Sequence, residues 1–181
     1  MSKARRAHDR WNIGALGLLC AFHAYTAVYA SYALFLRLFV AYVALDTLYI
    51  GAVPACVRSP RLLLLHHAMT LLGLCGVWSD PYFAWVGAGL EYDSILLIAT
   101  RYWWRGSLPR WTVALRTIVR LAVRGAVFYW VLIWAPERIH RIGGVSAAVV
   151  WVARCGLMTF TIGLVWTSVI SCIRQIRPST G

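Results

Sequence analysis

The segment LLLLHHAMTLLGL, Leu62 to Leu74, sets two adjacent histidines inside an otherwise apolar run. With its continuation to Trp78 the run has the length and composition of a helix in lipid. Ionisable side chains are costly in hydrocarbon unless they face a protein interior. The fold must therefore supply an interior, and the rest of the chain shows how.

The chain has 181 residues, of which 61% are hydrophobic, and its mean hydropathy is +0.67. Soluble domains hold about 45–50% apolar residues, so the composition points to a membrane protein. At about 20 residues per span, the length admits six helices with short connections. The hydrophobic runs place these at Trp11–Ala30, Tyr32–Val57, Leu62–Trp78, Tyr82–Thr100, Trp111–Trp134 and Val145–Ile173. Arg58-Ser59-Pro60-Arg61, Ser79-Asp80-Pro81, residues 101–110, Pro136 and Gly143-Gly144 separate them. The expected fold is all-α, a polytopic transmembrane six-helix bundle. A basic N-terminal tail (1–10) and a C-terminal tail (174–181) flank a single domain (11–173).

The net charge of +12 would suggest a nucleic-acid partner in a soluble protein, but the cations punctuate the spans and form no basic domain. No nucleic acid is expected. With the N-terminus inside, eleven Lys and Arg fall on the inner side, from Lys3, Arg5, Arg6 and Arg10 to Arg174 and Arg177. Only Arg37, Arg138 and Arg141 fall outside. That asymmetry puts both termini on the cytoplasmic side. Trp103, Trp104, Trp111 and Trp134 sit near span ends, where indole rings suit the interface. The five cysteines are scattered singly and read as packing residues.

Within the spans, the ionisable residues include Asp46, His66, His67, Glu91, Asp93, Arg116, Arg120, Arg124 and Arg154. Arg116, Arg120 and Arg124 recur every four residues and form one stripe on a helix face. That stripe needs acidic partners or an anionic lipid head group. Asp46, Glu91, Arg124 and Arg154 share mid-depth positions, so an ion pair among these four is expected. Such pairs can also serve packing alone. Arg101 and Arg116 lie near the inner surface, where they can snorkel. Adjacent helical residues diverge by about 100°, so His66 and His67 cannot share a metal in HxxxH fashion, and no metal site is expected. Thr70 lies within a turn of both rings and is a candidate hydrogen-bond partner. Histidine's near-neutral titration suits a general base facing a cavity.

HHAMT (His66–Thr70) resembles the HHxxT signature of the TLC-domain family, which includes the ceramide synthases and the translocating-chain-associating membrane protein. AYVALD (Ala41–Asp46) resembles that family's aromatic-x-x-x-Asp stretch one span earlier. GLEYDSILLIATRYW (Gly89–Trp103) is similar to its Glu-x-x-Ser…Arg segment, through Glu91, Ser94 and Arg101. LVWTSVISCI (Leu164–Ile173) is similar to its closing aromatic-rich helix. The resemblance implies a six-helix membrane bundle around a cavity reached by acyl chains, in the endoplasmic reticulum or another organelle membrane. It implies a role for His66 or His67 in taking a proton during acyl transfer from acyl-CoA to an amine, with Asp46 or Glu91 orienting or balancing the base. The stretch PYFAWVGAGLE (81–91) lacks the His-Asp pair that precedes the glutamate in ceramide synthases, and the lysine after it is missing too. The expected function is accordingly acyl-lipid binding that influences membrane lipid composition, without ceramide synthase activity. An acyl-CoA-dependent N-acyltransferase using His66/His67, and an accessory subunit packed among protein partners in the membrane, are the alternatives. Arg120, Arg124 and Arg154, with Asp46, Thr70, Glu91, Ser94 and Arg101, are the expected polar lining.

Overall fold

The computed structural model describes residues 2–76, 78, 80–103, 110–133, 136–137 and 144–176, and all regular structure among them is helical. The helices are α1 (Lys3–Tyr29), α2 (Tyr32–Ala52), α3 (Pro60–Gly76), α4 (Pro81–Gly87), α5 (Glu91–Trp103), α6 (Arg110–Ile133) and α7 (Gly144–Ile176). A 3-10 turn at Ala88–Leu90 joins α4 and α5 into one broken rod, so the described helices form six rods. Gly87 and Gly89 flank the start of this turn, where weak helix propensity lets the hydrogen-bond pattern tighten. Trp104, Trp134, Arg138, Arg141 and Arg177, used above for depth and orientation, lie outside the described residues, as does Arg105, one of the eleven inner-side cations.

Helix boundaries follow the hydrophobic runs with two informative differences. The second run was expected to continue to Val57, but α2 ends at Ala52 and Pro54 starts a separate 3-10 turn, Pro54–Cys56, because proline lacks the N–H that would extend the helix. The first run was expected to begin at Trp11, whereas α1 begins at Lys3, with the Ser2 hydroxyl accepting from the Arg5 N–H at 3.2 Å. That cap carries the helix through the basic residues and turns His8, Asp9 and Asn12 inward, all three buried.

Three packed pairs of helices run antiparallel. On α1 and α2, His23 meets Phe35, Asn12 meets Tyr42 and His8 meets Asp46. On α3 and α7, Gly73 faces Ala153, Gly156 faces Met69 and His66 stacks on Phe160. On α5 and α6, an added Cβ at Gly89 would meet Val127, while Asp93 meets Arg120 and Arg124. This alternation brings the start of α1, the end of α2 and the start of α3 to one end of the bundle, together with the end of α5. Leu16, Leu19, Phe35, Leu36, Phe39 and Val43 form the core between α1 and α2, closed by Leu74, Ala84, Ala88 and Val150.

The surface is turned inside out relative to a water-soluble domain. Leu18 and Val28 are 75% and 76% exposed, and Leu48, Ile118, Val152 and Trp166 are similarly open, while Asp9 and Asp93 are fully buried. Exposed apolar surface on this scale marks contact with lipid or protein. By length and composition, α1, α2 and the Ala147–Thr167 stretch of α7 can each cross a membrane, and α3 carries a shorter apolar stretch.

Candidate functional site

Asp9, Asp46 and Asp93 each meet cations or imidazoles from another helix. Asp46, on α2, accepts from His8 Nε2 at 2.8 Å and from Asn12 Nδ2 at 3.3 Å, and its second oxygen lies 3.6 Å from His67 Nε2. Asn12 in turn accepts from the Tyr42 hydroxyl at 2.9 Å. Asp93 accepts from Arg120 Nε at 3.0 Å and Arg124 Nε at 2.7 Å. Asp9 is paired with Arg101, whose Nε donates at 2.9 Å. Buried charges of this kind persist only when hydrogen-bonded to an opposite charge.

These pairings correct three expectations. Arg124 takes Asp93 rather than Asp46 or Glu91, and no ion pair joins any two of Asp46, Glu91, Arg124 and Arg154 among the described residues. The reason is rotation: Asp93 lies two residues beyond Glu91, about 200° around α5, on the side facing α6. Arg101 is held by a buried carboxylate rather than reaching freely for the interface. Thr70 donates to the His66 carbonyl at 2.9 Å, a helix-internal bond, instead of serving either imidazole. Arg154 lies over the Trp151 ring, 4.2 Å from its centroid, with its Nε buried and without a hydrogen bond.

The paired histidines have different surroundings. His67 is buried, and its Nδ1 donates to the Thr47 hydroxyl at 3.0 Å, which itself donates to the Val43 carbonyl at 2.6 Å. Both of its nitrogens face oxygen acceptors. His66 stacks on Phe160 at 4.3 Å, and its ring makes no hydrogen bond among the described residues; Nδ1 is buried and unpartnered. A buried imidazole nitrogen without a partner costs about 1–3 kcal/mol, so this arrangement calls for a functional or ligand-dependent explanation.

Three hollows meet at His66. A polar cavity of about 340 Å³ extends toward the charged end and is lined by Asp46, His67, Asp93, Arg101, Arg120 and Arg58, among others. An apolar chamber of about 140 Å³ lies between α2, α3, α4, α6 and α7, lined by Phe39, Leu74, Phe83, Val127 and Met158. A groove of about 640 Å³ runs between α3 and α7 along Leu65, Met69, Gly156, Leu157 and Gly163. His66, Thr70, Glu91, Ser94 and Arg124 border both the cavity and the chamber, Leu62, His66 and Phe160 border both the cavity and the groove, and His66 alone borders all three. The polar collar thus stands between one polar hollow and two apolar ones.

The structure brings Asp46, His66, His67, Thr70, Glu91, Ser94, Arg101, Arg120 and Arg124 to one cavity, while Arg154 lines the apolar chamber. Sequence reasoning missed His8, Asp9 and Asn12, which it assigned to the tail or left unremarked. Their i, i+1, i+4 spacing ahead of an apolar run was the available signal. Among the described residues, no group of three or more His, Cys, Asp and Glu is arranged to hold a metal ion. Comparison with protein-family models, with curated proteins and with solved structures finds no match to this chain.

Proposed function

We propose that this is a multi-pass membrane protein of TLC-like architecture that holds an acyl lipid in its interior and so influences membrane lipid composition. The observation that carries this reading is the position of His66, where one polar cavity meets two apolar hollows. A head group fits the polar side and an acyl chain the apolar sides. The groove between α3 and α7 offers the chain a lateral path from the bilayer. Helices α4–α5 and α6, with the shorter apolar α3, complete the six spans: the charges that lower the hydropathy of α5 and α6 are turned inward, Asp93, Arg120 and Arg124 all being buried. The inner side is the one rich in Lys and Arg.

Leu157 borders both the chamber and the groove, so it gives a direct test. Protein purified from membranes in mild detergent is expected to carry acyl lipid, identified by native mass spectrometry. Leu157→Trp is expected to lose most of that lipid while keeping its size-exclusion profile. A folded tryptophan variant that retains the full lipid load would refute the reading.

A second reading rests on the unpartnered imidazole. A neutral His66 at a polar–apolar junction can accept a proton from an attacking amine, which would make the protein an acyl-CoA-dependent acyltransferase. Incubation with acyl-CoA and amine acceptors tests it: product formation lost in His66→Ala supports it, and no turnover with any acceptor rejects it.

A further inference from the structure

The arginine stripe of α6 was the sequence's candidate for an anion, but Arg120 and Arg124 both turn to Asp93. Cations of a different origin lie at the other end of the polar cavity. Arg5 of α1, Arg58 of the connector and Arg101 of α5 line the same hollow, and Arg5 is within electrostatic reach of both others and of Asp9. Asp9 is the acid of this group, and it is fully buried and paired with Arg101. The carboxylate nearest these three guanidinium groups is therefore already committed, and Asp46 and Asp93 of the same cavity are held by His8 and by Arg120 and Arg124. Among the described residues, Arg5 Nε is buried without a hydrogen-bond partner and no ion pair holds Arg58. Ser59 lines the cavity as well, one residue before α3, whose first N–H groups add positive potential at that end.

Guanidinium groups gathered on one hollow offer an anion a ready site, and their planar forks match phosphate oxygens bidentately. We infer that Arg5, Arg58 and Arg101 form a phosphate site at the mouth of the polar cavity, and that the bound amphiphile is a phosphate-bearing lipid whose head group docks there while its acyl chain passes His66. This rests on the acyl-lipid reading above and adds the chemistry of the head group.

The test uses full-length protein in detergent with three probes: short-chain phosphatidic acid, the diacylglycerol with identical chains, and inorganic phosphate. Phosphatidic acid is expected to bind about tenfold or more tightly than diacylglycerol, with affinity falling as salt rises. Arg5→Gln and Arg58→Gln are each expected to weaken phosphatidic acid binding by roughly five- to tenfold, with diacylglycerol unaffected. Arg58→Gln alters an exposed residue of the connector, so folding is not at issue. Arg6→Gln, exposed and outside the cavity, is expected to change affinity less than about twofold. Equal binding of the two lipids, or wild-type affinity in both glutamine variants, would overturn the phosphate site and leave the acyl-lipid reading standing. Inorganic phosphate bound as tightly as phosphatidic acid would overturn the lipid source in favour of a soluble phosphate compound. Binding of neither lipid would overturn both the site and the reading it rests on.

Discussion

His23 and His66 are both histidines on long apolar helices, and their environments are opposite. His23 lies toward the aromatic end of the bundle. Its Nε2 donates to the Trp85 carbonyl at 2.8 Å, Nδ1 lies 3.2 Å from the Tyr92 hydroxyl, and the ring stacks on Trp85 at 4.3 Å. The Trp85 indole returns a bond to the His23 carbonyl at 3.1 Å. Every polar atom there has a neighbour, and α1 is tied to α4 and α5 by a closed knot. Among the described residues, His66 has a stacking partner, no hydrogen bond to its ring, and three hollows around it. The difference teaches that a histidine on an apolar helix is read by its free nitrogens rather than by its presence. A saturated imidazole ties helices together, and an open one leaves a nitrogen available beside the hollows.

The largest way to break the charged region is to remove its shared acid. Asp93→Asn leaves Arg120 and Arg124 buried without the carboxylate between them, and breaking a buried pair in this way costs about 3–5 kcal/mol. A loss of the monodisperse folded peak, or a large fall in thermal stability in detergent, is the expected readout. Next come the two histidines themselves. His23→Phe strands the Trp85 carbonyl and is expected to cost about 1–3 kcal/mol. His66→Phe preserves stacking on Phe160 and is expected to stay within about 1 kcal/mol of wild type while reducing bound lipid. Equal destabilisation by the two substitutions would erase the distinction. Thr47→Val removes the acceptor for His67 Nδ1 and is expected to cost about 1 kcal/mol with lipid retained, which checks that His67, unlike its neighbour, has a holding role. The smallest effect belongs to Gly156→Ala, whose new Cβ would approach Met69 Cε to 2.5 Å. Because that is the tip of a flexible side chain, the cost is expected to stay below about 1 kcal/mol, and the main change is a narrower groove.

The sequence made the helical rods legible because apolar runs and their Pro and Gly breaks are local signals. Pro81, Arg110 and Gly144 open helices within one residue of the expected span starts. The start of α1 was hidden because Lys3, Arg5 and Arg6 look like a solvated tail, although each is compatible with a helix. The polar residues of the site were legible as a set, since ionisable side chains in apolar segments stand out. Their pairing was not: whether Glu91 or Asp93 meets Arg124 depends on the rotation of α5 about its axis, which packing of several helices decides together. Likewise, nothing in the letters His66-His67 says which ring meets Thr47 and which faces open space. That choice follows from the placement of α2 on one side of α3 and α7 on the other.

Photocrosslinking with an acyl lipid bearing a reactive group in its chain tests occupancy of the interior most directly. Adducts in native membranes are expected to concentrate on residues lining the groove and chamber, such as Met69, Leu157 and Phe160, and to fall sharply in Leu157→Trp. Adducts spread instead over outward-facing positions such as Leu18, Leu48 and Ile118, in proportion to exposure and unchanged in Leu157→Trp, would contradict an internal lipid site.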